Sequence, residues 1–149
     1  MGRAEYLPQY ETQLDPGLVN LARAGMALAA LDFATAQRER HRFYEGVRRF
    51  FARYDLLLSP TVPILPLLAG HNTPNPHSLG EDWIGWSPFT FPFNLTQLPA
   101  ASVPAGWSHE GLPIGLQIVG PRFADLTVLQ ASAAFEASRP WAHRWPPTA

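Results

Sequence analysis

Four groupings in this chain contain side chains of the kinds that do nucleophilic, acid–base or metal chemistry. Gly106-Trp-Ser-His-Glu-Gly111 sets a serine beside a histidine between two glycines. A serine hydroxyl attacks a carbonyl only when a neighbouring base takes its proton. The spacing is not G-x-S-x-G, and a nucleophile elbow also needs a strand, a sharp turn and then a helix. The residues after Gly111 read as a strand, and the adjacent Ser108 and His109 point apart, so this segment is expected to be a turn. His71 and His77 could ligate a metal, but no third ligand stands nearby in a rigid frame. His41 and His143 neighbour arginines, which suits exposure. Glu81-Asp82 is an acidic pair without an evident partner. Cysteine is absent, which removes disulfides, thiolate nucleophiles and sulfur-bound zinc. All 11 basic residues are arginine, so a lysine base is absent too. These residues make no self-sufficient active site, and nothing in them calls for a metal or an organic cofactor.

The elements that would position such groups belong to one modest domain of 149 residues and 16.5 kDa. A hydrophobic content of 46% is enough for a core, and a net charge of -1 argues against a nucleic-acid or membrane-surface partner. Sixteen prolines, of which only Pro8 and Pro16 precede Pro60, suggest stiff loops around a packed body. No charged-then-apolar leader pattern is seen at the start, and the apolar stretch Ala24 to Leu31 is too short to span a bilayer. The expected location is cytoplasmic.

Asp15-Pro16 reads as a helix N-cap followed by proline at the first helical position, opening a short helix to about Ala30. A second helix is expected from about Asp32 to Tyr54. At 100° per residue, Phe33, Ala36, Phe43, Val47, Phe50, Phe51 and Tyr54 share one side. Arg38, Arg42, Arg49 and Arg53 lie opposite, with Glu45 placed to pair Arg49 at i, i+4. Arg40 falls among the apolar residues, where a guanidinium needs a partner or must reach the rim. Asp55 to Ser59 reads as a buried strand stopped by Pro60. Residues 60–87 form a long proline-punctuated loop of the kind that more often carries function than not. Further expectations are a helix within Ser87 to Leu98, strands at Ala100 to Pro104 and Ile114 to Val119, and a last helix capped by Asp125. That helix runs to about Ser138 and turns Val128, Leu129, Ser132 and Phe135 inward. An irregular tail occupies 139–149. Helices alternating with short apolar strands indicate α/β or α+β.

Asn94-Leu-Thr-Gln-Leu-Pro-Ala-Ala-Ser-Val-Pro-Ala-Gly106 and Gly111-Leu-Pro-Ile-Gly-Leu-Gln-Ile-Val-Gly120 together resemble the C-terminal segment of amidase-signature hydrolases. Tyr54-Asp-Leu-Leu-Leu-Ser-Pro-Thr-Val-Pro63 is similar to that family's strand and proline loop. Ala36-Gln-Arg-Glu-Arg40 resembles the end of its alanine-to-arginine helix motif. Asp125-x-x-Val-Leu-x-x-Ala-x-x-Phe-Glu136 resembles its last helix. Matched in series, these motifs cover roughly Asp15 to Pro147.

The resemblance implies an α/β fold, the C-terminal portion of the amidase-signature fold, with helices packed on part of a mixed β-sheet. Residues 1–149 then form a single incomplete domain, with 1–14 as an N-terminal extension. Family members hydrolyse carboxamides with two serines and a lysine that lie upstream of the matched segment, without a cofactor. This chain would supply structural elements and part of the substrate pocket, and would be inactive alone. By resemblance, Trp83, Trp86, Ser87, Phe89 and Phe93 sit in the loop that helps wall the acyl or leaving-group pocket. Two departures matter. Gln97 stands where the family often has glycine. Ser87 stands where the glutamine-using amidotransferases have an acidic residue, so a general amidase acting on a neutral or aromatic amide is implied. A complementary chain or a homo-oligomer would complete the fold. The competing reading is a non-catalytic binding or assembly module with the same fold.

Overall fold

The computed structural model describes residues 6–69 and 87–144. His71, His77, Glu81, Asp82, Trp83 and Trp86 lie outside the described residues, as does most of the 60–87 loop. Packing divides the chain into two compact units, Met1–Arg42 and Phe43–Ala149.

In the first unit, α1 (Leu7–Tyr10) runs into a 3-10 turn (Glu11–Gln13), so the N-terminal extension has helical structure. Asp15 then caps α2 (Pro16–Met26) as its type and position require. Its Oδ1 accepts from the Gly17 and Leu18 N–H groups at 2.8 and 3.2 Å. Arg23 of α2 reaches back to Glu11 at 2.6 Å. Helix α3 (Ala30–Phe51), whose residues from Phe43 on belong to the second unit, begins two residues earlier than expected, with the Asp32 carboxylate turned back to accept the Ala29 N–H at 3.1 Å. The amphipathic stripe is present, but no α3 residue is buried, and Phe33 and Phe43 are 57% and 43% exposed. Glu45 holds Arg48 at 3.0 Å (i, i+3), one position earlier than the Arg49 expected. That hydrogen bond raises the Arg48 pKa further above its ordinary value.

The second unit is built on a three-stranded sheet in the order β1 (Leu57–Pro60), β3 (Pro113–Val119), β2 (Ala100–Trp107). Both pairings are antiparallel in this part of the sheet. Strand β1 ends at Pro60, which is itself its last residue and pairs with Leu116, as proline can on an edge strand. Strand β2 runs on to Trp107, past a register irregularity between Pro104 and Gly106. The turn is therefore confined to Ser108–Leu112, where the Ser108 N–H donates to the Leu112 carbonyl at 2.8 Å.

Helix α4 is shorter than expected (Phe91–Thr96) and ends on Gln97, whose φ of 56° is left-handed. Helix α5 (Asp125–Ser138) packs on β2 and β3. Val103, Ile118 and Val128 form its core contact, with Ala131, Phe135 and Trp141 packed around them. Two expectations for α5 fail. Ala124 is its N-cap and Asp125 its first helical residue, because the chain enters through Phe123 at φ 66°. Leu129 is 63% exposed, since the sheet selects Val128, Ala131 and Phe135 instead. The start of the tail is irregular, and Arg144 lies over the Trp107 ring at 4.3 Å. Among the described residues, no single helix is long and apolar enough to cross a membrane.

Candidate functional site

Alternation along the strands puts residues i and i+2 on one face. One face carries Ala101, Val103, Leu116 and Ile118 against α5. The other carries Leu57, Ser59, Ala100, Ser102, Gly115, Gln117 and the fully buried Val119, with Thr61 following β1 after Pro60. Thr61 stays in register, its N–H donating to the Gly115 carbonyl at 3.0 Å.

Two hydrogen-bonded groups organise this polar face. Gln117 is 4% exposed, and its Nε2 donates to Ser59 Oγ at 3.0 Å and to the Phe89 carbonyl at 2.9 Å. A buried amide is thereby satisfied, and the segment before α4 is fixed to the sheet. One register step further, Thr61 Oγ1 and Ser102 Oγ meet at 2.7 Å. They reach each other from the two outer strands across Gly115 of the middle one. A Cβ at Gly115 would lie 2.7 Å from Thr61 Oγ1 and 2.8 Å from Ser102 Oγ. Only glycine leaves room for the contact.

Gly115 also lines a cleft of about 370 Å³ between the first turns of the proline loop and the start of β3. Its walls are Val62, Pro63, Ile64, Leu65, Pro66 and Leu67 on one side, with Pro113 and Ile114 on the other. Among the described residues, no charged side chain lines it. A smaller cleft of about 270 Å³ runs between the end of α3 and Pro121-Arg122, lined by Tyr44, Arg48, Phe51 and Leu98 among others.

Three of the residues expected at a pocket wall lie near α4. Ser87 is half-buried, and its carbonyl accepts from Thr90 N–H and Oγ1 at 3.3 and 3.1 Å. Phe89 is 36% exposed and is tied to the sheet through its carbonyl. Phe93 is half-buried on α4. None of these three lines the 370 Å³ cleft, whose walls come from earlier in the proline loop. The sequence signal for those walls is the run from Val62 to Leu68, aliphatic apart from two prolines. Ser108 is a turn residue, its Oγ accepting from the Glu110 and Leu112 N–H groups at 3.2 Å each, and His109 is exposed. Among the described residues, no group of three or more acidic or histidine side chains could hold a metal.

The amidase family model matches residues 9–129 of the chain. The acylamidase of Rhodococcus erythropolis is 34% identical over 137 residues, covering 90% of this chain and 28% of its own length. A glutamyl-tRNA(Gln) amidotransferase subunit from Streptococcus mutans is 42% identical over 108 residues, covering 71% of this chain and 21% of its own length. A solved bacterial aryl acylamidase of the amidase signature enzymes aligns with a TM-score of 0.76 at 32% identity. That alignment covers 93% of this chain and 29% of the other. The chain thus spans less than a third of the length of these relatives.

Proposed function

The chain belongs to the amidase family, and from that premise we propose that it is the C-terminal portion of a general amidase. In this reading the full catalytic unit hydrolyses the C–N bond of a neutral or aromatic carboxamide in the cytoplasm. The serine–serine–lysine chemistry of the family resides outside this chain, which contains no lysine. The chain contributes a three-stranded section of sheet, the helices that cover it and part of the substrate wall. It is inactive alone, and a complementary polypeptide or a further segment completes the site.

The observation that carries the reading is the acylamidase similarity, which runs through 90% of the chain while covering 28% of that protein. The apolar stripe of α3 supports it, because Phe33 and Phe43 are large hydrophobic residues left open to water. Ser87 favours the general amidase over the amidotransferase branch. An α-amino group needs a carboxylate there, and serine supplies no charge. On that branch, Ser87, Phe89 and Phe93, with Trp83 and Trp86, remain candidates for the wall of the acyl or leaving-group pocket.

The test is to isolate the native polypeptide with an antibody to this segment, measure its intact mass, and assay release of 4-nitroaniline from 4-nitroacetanilide. The expected result is turnover by a species heavier than 16.5 kDa or by a complex containing a second chain. A lone 16.5 kDa chain without turnover would instead support a binding or assembly module. A lone chain with turnover would overturn the assignment of the chemistry to another segment.

A further inference from the structure

Helix α5 is apolar on two sides, and only one of them meets the sheet. At 100° per residue, Leu126, Leu129, Ala133 and Glu136 fall within about 80° of one another, on the side away from Val128, Ala131 and Phe135. All four are exposed, Leu126 by 67%. Phe123, two residues before the helix, adds a ring that is 84% exposed at a φ of 66°. A bulky residue in the left-handed region is strained, and here the strain holds an aromatic ring in water, where a single chain gains nothing from it. Clustered apolar surface of this kind marks an interaction face.

The charges at the ends of α5 indicate what that face meets. A helix favours anions at its N-terminus and cations at its C-terminus. Asp125 and Arg139 obey that rule, but Arg122 at the N-terminal end and Glu136 in the last turn reverse it. Among the described residues neither has an ion-pair partner, and the Arg122 guanidinium rests over the Phe123 ring at 4.9 Å. Arg122 and Glu136 each stand seven residues from Leu129. When a second α5 is laid antiparallel about a two-fold axis at Leu129, each Arg122 comes opposite the other copy's Glu136. Each wrong-signed charge then also meets the helix end that suits it. A parallel pairing would set like charges side by side instead.

We propose that the outer face of α5 is a docking surface for a second copy of this chain, the two helices packing antiparallel about Leu129. Leu126 of each copy sits beside Leu129 and Ala133 of the other, and the Arg122–Glu136 pairs close both ends. This pairing requires no catalysis, so it does not depend on the amidase reading.

The test is sedimentation equilibrium, over a range of concentrations, on the native polypeptide that carries this segment and on the same polypeptide with substitutions. Two copies per particle are expected at high concentration and one on dilution. Leu129→Ser should raise the dissociation constant about a hundredfold, because the lost burial counts twice across the axis, and should leave the folding of the dilute monomer unchanged. Arg122→Glu and Glu136→Arg should each raise it about tenfold, and the double reversal R122E/E136R should restore it to within about threefold. One copy per particle at every concentration would overturn the docking surface, as would a dimer that L129S leaves intact. A double reversal as weak as the single ones would overturn the antiparallel arrangement. A dilute L129S monomer that unfolds more easily would show Leu129 to be covered within one polypeptide, and that too would overturn it.

Discussion

The two faces of the sheet are drawn from alternate residues of the same three strands; both bury a side chain of β3 completely, Ile118 on one and Val119 on the other, but only the second adds a hydrogen-bonded polar group. Towards α5, Val103 and Ile118 bury aliphatic surface against Val128, and Ile118 is 2% exposed. On the other side, Gln117 is buried almost as deeply at 4%, but what it meets is a hydroxyl and a carbonyl. The apolar face is non-directional and tolerates small shifts among similar shapes. The polar face is specific: each donor has a particular acceptor, and Gly115 must remain without a side chain for one pair to form. Burial on the first face seats α5, while the hydrogen bonds of the second join the outer strands and the segment before α4 to the sheet.

Substitutions on each face can break that contrast. Ile118→Ala should cost about 2–4 kcal/mol in urea unfolding, since it removes buried aliphatic surface and leaves a cavity. A cost below about 1 kcal/mol would mean that α5 does not seal this face. Gln117→Leu keeps the volume but leaves the Phe89 carbonyl and Ser59 without their donor, so a loss of about 1–3 kcal/mol is expected. A neutral outcome there would show the polar face to be as permissive as the apolar one. Gln97→Gly should raise stability by about 0.5–1 kcal/mol, because Gln97 holds a left-handed φ of 56° that glycine adopts freely. Leu129→Ser, on the outside of α5, should change the unfolding free energy by less than about 0.5 kcal/mol. A larger loss would restore the inward orientation expected from the sequence.

The Leu129 case shows where sequence reasoning stops. Helix α5 carries Leu126, Val128, Leu129, Ala131, Ala133, Ala134 and Phe135, so apolar residues occur all around it. Its periodicity cannot choose a face; contact with β2 and β3 chooses it. Local chemistry is more readable. Asp15-Pro16 announces the start of α2, and the two-residue alternation from Pro113 to Val119 announces β3. The expectation that Ser87, Phe89 and Phe93 wall a pocket comes from a resemblance alone, and none of them lines the 370 Å³ cleft. The Thr61–Ser102 pair is invisible to such reading, because the two residues are 41 positions apart and meet only through strand register. At Gln97, where the resemblance leads one to expect glycine, the backbone holds a left-handed φ of 56° that glycine adopts freely.

The contact between Thr61 and Ser102 also has a mechanical meaning. Backbone ladders join β1 to β3 and β3 to β2, so each ladder couples only neighbours. The hydroxyl bridge passes over the middle strand and ties the two outer strands directly, as a cross-brace stiffens a frame. The proline loop leaves from one braced strand, and the other runs into the Ser108–Leu112 turn that leads to Pro113 and Ile114.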